Sequence, residues 1–137
     1  MGGTDAFFDT NVLLYLLSEE TAKADRAEAL LAGGGTVSVQ VLNEFAAVAR
    51  RKLAMSWPEV REVLATVRAV CAVAPVTEAT HDLGVAVAER YGFSVYDGLI
   101  VAAASLAGCG LLYSEDLQDD QTVEGVTVRN PFGPKGG

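Results

Sequence analysis

Four acidic residues at widely separated positions, Asp9, Glu44, Asp97 and Asp116, each lie beside apolar residues that look buried. A carboxylate next to a core is costly unless a positive charge meets it. If the four converge in space, they supply the oxygen ligands that a hard cation such as Mg²⁺ prefers. We therefore predict a divalent-metal site, and such sites usually act on phosphate esters.

Each of the four also has an ordinary structural explanation. Asp9 and Asp116 follow predicted strands, where Asp is common in turns. Asp97 lies in the first turn of a predicted helix, where the helix dipole favours negative charge. Glu44 lies among apolar residues, so a solvent-facing position is harder to accept for it. The set is more specific than any member, because all the separate explanations would have to hold together.

Polar residues near these acids are candidates for a supporting layer. Thr10 and Ser114 either hydrogen-bond the carboxylates or bond within their own turns. Asn11 either does the same or caps the first helix. Asp119 belongs to an acidic run after Asp116, which is more often a solvated loop; the alternative is a water-mediated contact to the metal.

The remaining reactive residue types predict little chemistry. The basic run 50–52 closes a helix, where it favours the helix C-terminus; the alternative is a phosphate or partner contact. His81 is expected to be an ordinary early-helix residue. Cys71 and Cys109 are expected to be free, reduced and buried. Two cysteines and a single histidine give no support to a zinc site.

Composition limits the class of protein. The 137 residues suffice for one domain over 1–137, with a Pro- and Gly-rich flexible tail from about 130. The net charge of -8 argues against a nucleic-acid binder held by a broad basic surface, but not against an enzyme that uses metal and a few local cations. Without a signal-peptide pattern or a long apolar run, we expect a soluble, cytoplasmic protein with no membrane partner.

Short apolar stretches alternate with helical patterns along the chain. The strands are predicted at 6–9, 36–37, 72–76, 111–113 and 126–128, the last at the sheet edge. The helices are predicted at 12–17, 21–32, 39–53, 56–70, 77–90 and 96–107. This alternation predicts an α/β fold with a parallel sheet covered on both faces. Since active groups gather beyond the carboxyl ends of parallel strands, all four acids can reach one pocket.

Four segments around these acids carry a resemblance to a known family. They are Phe8-Asp9-Thr10-Asn11-Val12-Leu13, Asn43-Glu44-Phe45, Tyr91 to Asp97 with the apolar helix to Ala104, and Leu112 to Leu117. At these residues the chain resembles the PIN-domain ribonucleases, and within them the VapC-type toxins of bacterial toxin–antitoxin pairs. The segments follow the family's order with similar spacing, and residues 123–132 resemble its closing strand and turn.

The resemblance implies a three-layer α/β/α sandwich with a mostly parallel central sheet. It implies an endoribonuclease dependent on Mg²⁺ or Mn²⁺, acting as the toxin of a type II pair, with Asp9, Glu44, Asp97 and Asp116 as its acidic quartet. A cognate antitoxin, an RNA substrate and a homodimer are implied as well. One departure is Asp120, which stands where the family's Asp-Leu-Gln-Asp-Gly loop has Gly.

Other functions stay open. A phosphatase that forms an aspartyl-phosphate would also place Asp9 after its first strand, but it normally has a second Asp where Asn11 stands. A response-regulator receiver needs a Lys after its fifth strand, and none of the lysines fits. A non-catalytic module that keeps the fold and only binds a partner is the alternative from another class.

The acidic groove also predicts what a protein partner would bring. A basic segment of the antitoxin would place an Arg or Lys among the carboxylates in place of metal. The first two helices either form core or offer a groove for a partner helix. Their apolar residues are Val12, Leu13, Leu16, Leu30 and Leu31.

Overall fold

A six-stranded sheet forms the centre of the computed structural model, which describes residues 5–132. The strands run in the order β3-β2-β1-β4-β6-β5. All neighbours are parallel except β5 and β6, which are antiparallel. The mostly parallel sheet predicted from the alternation of strands and helices is therefore confirmed. The strands are β1 (Ala6–Phe8), β2 (Gly35–Ser38), β3 (Cys71–Ala74), β4 (Leu111–Tyr113), β5 (Thr122–Val123) and β6 (Val126–Arg129).

Within residues 5–132, six helices flank the sheet in two groups. The helices are α1 (Thr10–Tyr15), α2 (Thr21–Ala32), α3 (Val39–Arg51), α4 (Trp57–Val70), α5 (Glu78–Tyr91) and α6 (Val95–Leu106). Helices α1 to α4 contact one another, whereas α5 packs on α6, which also contacts β2, β4 and β6. The backbones of α5 and α6 approach closely at Gly84 and Gly98, where an added side chain would collide with the facing helix. The expected three-layer sandwich is confirmed.

Helix starts follow the local signals in the sequence. Ser56 caps α4 in a capping box with Glu59, with Pro in the first turn, and Thr77 caps α5 in the same manner. Ser38 caps α3 by accepting a hydrogen bond from the Val41 amide at 3.3 Å. Each cap satisfies backbone donors that the first helical turn leaves free. These boundaries are therefore set locally.

The closing hairpin differs from the prediction. Strand β5 was not predicted, and β6 is not the edge strand, because β5 pairs along its outer side. The two-residue turn between them, Glu124 and Gly125, has φ of 51° and 78°. Two-residue hairpins need such positive φ values, which Glu rarely adopts. The turn has Glu-Gly in place of the usual Asn-Gly or Asp-Gly, so the sequence carries no clear signal for this hairpin.

The segment from residue 130, expected to be a flexible tail, begins with packed residues. Arg26 Nε donates to the Pro131 carbonyl at 3.0 Å. The Phe132 ring meets the Tyr15 ring edge-on at 4.5 Å between centroids. Residues 130–132 thus close over α1 and α2. The rest of the predicted tail, 133–137, lies outside the described residues.

The two cysteines lie in the buried core. Cys71 and Cys109 are buried and free, as expected, and burial raises the pKa of Cys71 to about 11. Both thiols therefore stay protonated at neutral pH.

Across residues 5–132, no helix combines the length and the apolar character needed to cross a membrane.

Candidate active site

Asp9 is the most deeply buried of the four acids, with 4% of its surface exposed. It follows β1 at the carboxyl end of the sheet, and its amide donates to the Tyr113 carbonyl of β4 at 3.0 Å. Its two carboxylate oxygens accept hydrogen bonds from the Thr10 amide and the Ser114 hydroxyl, each at 2.7 Å. The strand thus presents a fixed, desolvated carboxylate.

The pKa of Asp9 is raised from 3.8 to about 6. Burial is the main cause, since it penalises the charged form, and the charges of Asp116 and Asp97 add to it. The hydrogen bonds from Ser114 and Thr10 oppose the rise but do not cancel it. No ion pair within residues 5–132 involves Asp9, so no protein cation neutralises this carboxylate.

Asp97 and Asp116 approach Asp9 from two other elements. Asp97 lies in the first turn of α6, where its amide donates to Ser94, the helix cap, at 3.1 Å. Its pKa is raised by burial first, then by the charges of Asp116 and Glu44. The Asp116 amide donates to the Ser114 hydroxyl at 3.1 Å, which fixes the loop after β4. The structure therefore brings these acids within range of mutual repulsion.

Glu44 joins the group from the second turn of α3. Its carboxylate accepts from the Thr10 hydroxyl at 2.5 Å and from Gln40 Nε2 at 3.1 Å. Gln40 Nε2 also donates to the Tyr96 carbonyl at 3.2 Å, so it links α3 to the start of α6. Gln40 was not predicted as a site residue, although its spacing of four residues from Glu44 places the two on one helix face.

The contacts predicted for the four supporting residues are found in some cases and not in others. The Thr10 hydroxyl contacts a carboxylate, one of its two expected roles, whereas the Ser114 hydroxyl does both things expected of it, since it bonds Asp9 and also the Asp116 amide of its own turn. Asn11 does neither of the things expected: Asp9 caps α1, and both polar atoms of the Asn11 amide are buried without a partner among the described residues. Helix α1 starts before Asn11, which removes it from the cap position. Asp119 instead accepts a hydrogen bond from the Asn130 amide at 2.7 Å, which ties its loop to the segment after β6.

The departure at Asp120 has a conformational consequence. Asp120 has a φ of 65°, in the left-handed region that favours glycine. Its amide donates to the Val128 carbonyl at 2.8 Å, and its exposed carboxylate lies 3.2 Å from Arg129 Nε. The position therefore requires the backbone that the expected Gly adopts readily, and Asp120 adopts it at some cost in strain.

A second polar cluster, missed by the sequence analysis, holds the other side of the Asp116 loop. The Tyr15 hydroxyl donates to Glu115 at 2.8 Å. Lys23 Nζ lies 3.2 Å from the Tyr15 hydroxyl, 3.8 Å from the Glu115 carboxylate and 4.5 Å from the Tyr15 ring centroid. We call Tyr15, Lys23 and Glu115 the α1 anchor. It fixes the residue between Ser114 and Asp116 from the helix side.

The first residue of the basic run at the end of α3, Arg50, contacts the segment that follows the helix. Arg50 Nη1 donates to the Met55 carbonyl at 2.7 Å, and its guanidinium lies 4.6 Å from the Trp57 ring centroid. Arg51 and Lys52 are exposed at the helix end. His81 is exposed on α5, in agreement with its expected ordinary role.

Whether these residues suit a divalent cation can be judged from their chemistry. Within residues 5–132, no three acidic, His or Cys side chains lie close enough to form a complete ligand set. Mutual repulsion opposes a closer approach of carboxylates that no cation neutralises. Asp9 is nevertheless buried without an ion-pair partner among residues 5–132, and the amide of Asn11, two positions along the chain, has both polar atoms buried without a hydrogen-bond partner. An all-oxygen donor set of this kind fits Mg²⁺ or Mn²⁺.

The fold and the site together define an α/β protein with an acidic site, suited to a divalent cation, beyond the carboxyl ends of its parallel strands. The family model of the PIN domain matches residues 6–122. The chain therefore belongs to the PIN-domain family.

Solved structures share this fold over most of their length. A toxin–antitoxin complex from Klebsiella pneumoniae has a TM-score of 0.71 at 20% identity, over 93% of this chain and 98% of that chain. VapC20 of Mycobacterium tuberculosis, a sarcin–ricin loop cleaving toxin, has a TM-score of 0.67 at 21% identity, over 88% and 98%.

A third similar structure is VapBC2 from Rickettsia felis, bound to a DNA fragment from its promoter. Its TM-score is 0.67 at 15% identity, over 93% of this chain and 98% of that chain. A comparison with curated protein sequences gives no match. At these identities the structural likeness establishes the fold alone.

Proposed function

We propose that this protein is a metal-dependent endoribonuclease and the toxin of a toxin–antitoxin pair. The observation that carries the proposal is the buried, unpaired Asp9 carboxylate, which faces the charges of Asp97 and Asp116 in a PIN-domain fold. Support also comes from the similar structures, which are named as toxins or toxin–antitoxin complexes. One of them is named for cleaving an RNA loop.

The chain's own residues have distinct roles in this proposal. Asp9, Asp97 and Asp116 would hold the cation, and Glu44 would either add a ligand or orient the attacking water. When bound, Mg²⁺ or Mn²⁺ lowers the pKa of a coordinated water and neutralises charge on the phosphate. Thr10 and Ser114 keep the carboxylate oxygens in place through the hydrogen bonds described above.

The acidic character of the chain bears on how RNA is held. With a net charge of -8, the protein gains little from general attraction to a phosphate backbone. Affinity must therefore come from the cation and from local contacts. Arg51 and Lys52, both exposed, are candidates for such contacts, whereas Arg50 is engaged with Met55 and Trp57.

The test is cleavage of total RNA by purified protein, with Mg²⁺ or Mn²⁺ against EDTA. Asp9→Asn is the inactive variant, and Asp82→Asn, which changes an exposed Asp on α5, is its matched control. We expect cutting at discrete positions that needs the metal, persists in Asp82→Asn and disappears in Asp9→Asn. If the wild-type protein cuts nothing with either metal, the chain is better described as a binding module.

An apolar groove supports the antitoxin as partner. A cavity of about 460 Å³ lies between the end of α1, α2 and α4. Its lining is Leu16, Leu17, Glu28, Leu31, Ala32, Glu62, Val63, Thr66, Val67 and Val70. Val12 and Leu13, for which a core position was the alternative, are fully buried. An apolar groove with two carboxylates suits an amphipathic helix that also carries basic residues.

Disruption of this groove tests the antitoxin proposal. Val70→Glu changes a residue that is 43% exposed in the groove, and Val85→Glu is the control on α5, at 41% exposed. We expect only Val70→Glu to weaken the complex with an antitoxin encoded beside the gene. A complex that is equally tight in both variants would place the partner elsewhere.

The partner's basic segment can be tested separately. If it enters the acidic site in place of metal, excess Mg²⁺ should weaken the complex with unchanged antitoxin. Replacement of the antitoxin's Arg and Lys residues should remove this competition. We also propose a cytoplasmic location. We further propose a homodimer, which light scattering of the free protein tests directly.

A further inference from the structure

Tyr96 is a largely exposed aromatic residue beside the acidic site. Its exposed fraction of 67% exceeds that of the other exposed large hydrophobic residues in 5–132. It lies in the first turn of α6, immediately before Asp97. An aromatic ring left in solvent beside a polar site is a common mark of a binding surface.

The ring borders an open depression of about 360 Å³, which we call the Tyr96 pocket. Its lining is Val39, Gln40, Asn43, Glu44, Ala47, Val76, Tyr96 and Leu99. Val39 and Val76 are exposed like Tyr96, so the surface is mainly apolar. Because Glu44 lines the pocket and also hydrogen-bonds Thr10 beside Asp9, the pocket and the acidic site are continuous.

Gln40 fixes the two parts relative to each other. Its Nε2 donates both to the Glu44 carboxylate and to the Tyr96 carbonyl, at 3.1 and 3.2 Å. The ring is therefore attached to a backbone that is held against α3. A ligand on the ring would lie at a set distance from the carboxylates.

We propose that the Tyr96 pocket binds a nucleobase of the RNA next to the scissile phosphate. This inference rests on the nuclease function proposed above and adds the part of the substrate that the pocket recognises. A base is flat and uncharged, and it stacks on an aromatic face. The Asn43 amide and the Gln40 Oε1 can pair with its edge, since Gln40 Nε2 is already engaged with Glu44 and Tyr96. The lining contains no Lys or Arg that would attract a phosphate instead.

Continuity with the acidic site favours a nucleobase over a second copy of the chain. A phosphate held near Asp9 brings its own neighbouring nucleotide to the pocket, since the two are covalently joined. A protein chain that covered the pocket would also cover Glu44 and Gln40, which line it. Because a stacked base must be free of its neighbours, the substrate is single-stranded at the cut site.

The test uses an RNA oligonucleotide centred on a cut site mapped in total RNA. Tyr96→Ala removes the ring and Tyr96→Phe keeps it, while Leu106→Ala changes an exposed residue at the far end of α6. We expect Tyr96→Ala to raise KM by about tenfold or more, with a smaller effect on kcat. Leu106→Ala should cleave at the wild-type rate, and Tyr96→Phe, which keeps the aromatic face, should recover most of the KM that Tyr96→Ala loses.

A second arm removes the base instead of the ring. An abasic substitution at one position flanking the cut should slow the wild-type protein by about tenfold, and should slow Tyr96→Ala no further. Additive losses from the two changes would overturn the proposal. So would an unchanged KM in Tyr96→Ala, or a loss of activity that follows a dimer-to-monomer change in light scattering.

Different results would overturn the nuclease function and the nucleobase pocket. If the wild-type protein cleaves no RNA, the nuclease function falls, and the nucleobase pocket with it. If it cleaves RNA with metal but Tyr96→Ala keeps its KM, only the pocket is wrong. Binding of Mn²⁺ to Tyr96→Ala, measured by calorimetry, should match the wild type, because the ring is not a ligand.

Discussion

At the scale of single residues, Asp9 shows how a fold can hold a group in an unfavourable state. Its carboxylate is desolvated, and its two hydrogen bonds stabilise the charge only in part. A pKa of about 6 means that ionising Asp9 costs more free energy in the folded protein than in the unfolded chain, although the carboxylate is still the main form at neutral pH. Carboxylates whose pKa is raised in this way are typical of functional sites. A bound cation would favour the charged form of Asp9.

Replacement of Asp9 by Asn should raise stability in metal-free buffer at neutral pH. A folded pKa above the unfolded value stabilises fully below pH 3.8, and that contribution is lost as pH rises through 6. The rise to about 6 corresponds to at most roughly 3 kcal/mol at pH 7.5. Urea unfolding in EDTA at pH 4.5 and 7.5 measures this. The gain over wild type should appear at the higher pH; a clear loss of stability there would count against a strained carboxylate.

Asp120 gives a second prediction at this scale, because its φ of 65° is unfavourable for a residue with a side chain. Asp120→Gly should be more stable than Asp120→Ala by about 1 kcal/mol. Both variants lose the exposed pair with Arg129, so their difference isolates the backbone conformation. Thermal unfolding of the two proteins checks it, and equal stabilities would show that the loop relaxes.

At the scale of elements, the short helix α1 connects the acidic site with its surroundings. Thr10 at its start bonds Glu44 of α3, and Tyr15 at its end bonds Glu115 beside Asp116. Leu16 and Leu17, directly after the helix, line the apolar groove. One helix of six residues thus contacts two of the segments that carry the acids and continues into the proposed partner surface.

Removal of the Tyr15 hydroxyl tests this connection. Tyr15→Phe keeps the ring against Phe132 and Lys23 but removes the hydrogen bond to Glu115, which then keeps only its ion pair with Lys23. We expect a stability loss of about 1 kcal/mol and a Mn²⁺ affinity several-fold weaker, since the Asp116 loop loses one support. Tyr91→Phe, on α5, is the matched control. Calorimetric titration of Mn²⁺ decides, and wild-type affinity in Tyr15→Phe would restrict the anchor to a structural role.

At the scale of the whole molecule, negative charge opposes the compact folded state. The chain has a net charge of -8, and four of its carboxylates lie within range of one another beyond the carboxyl ends of the strands. Concentrated like charge lowers the stability of the compact state. A cation that binds only the folded protein therefore stabilises it as a whole.

Divalent metal should raise the melting temperature beyond what salt alone achieves. At a concentration one hundred times Kd, a bound cation adds about 2.7 kcal/mol. Thermal unfolding in MgCl₂ or MnCl₂, against NaCl at equal ionic strength, measures the specific part. Asp9→Asn should lose most of this rise, and an equal rise in both proteins would indicate general screening.

The sequence by itself determined the local features and the class of fold. Ser56 and Glu59 set a helix start through bonds between near neighbours, and α2 and β4 have the predicted bounds. The alternation of apolar strands with helices determined the parallel sheet. The interactions behind these features are local or repeat along the chain, so they can be read from it. The candidate acids were found in the same way, by residue type and order.

Only the tertiary structure decided how distant residues meet. Gln40 bonds the Tyr96 carbonyl, and Tyr15 bonds Glu115 one hundred positions away. The place of β5 outside β6 depends on a turn whose Glu124 adopts a rare conformation. The groove between α2 and α4 exists only once both helices are packed. Such features arise from packing and burial, which set the free energy of each contact and have no signature in the order of residues.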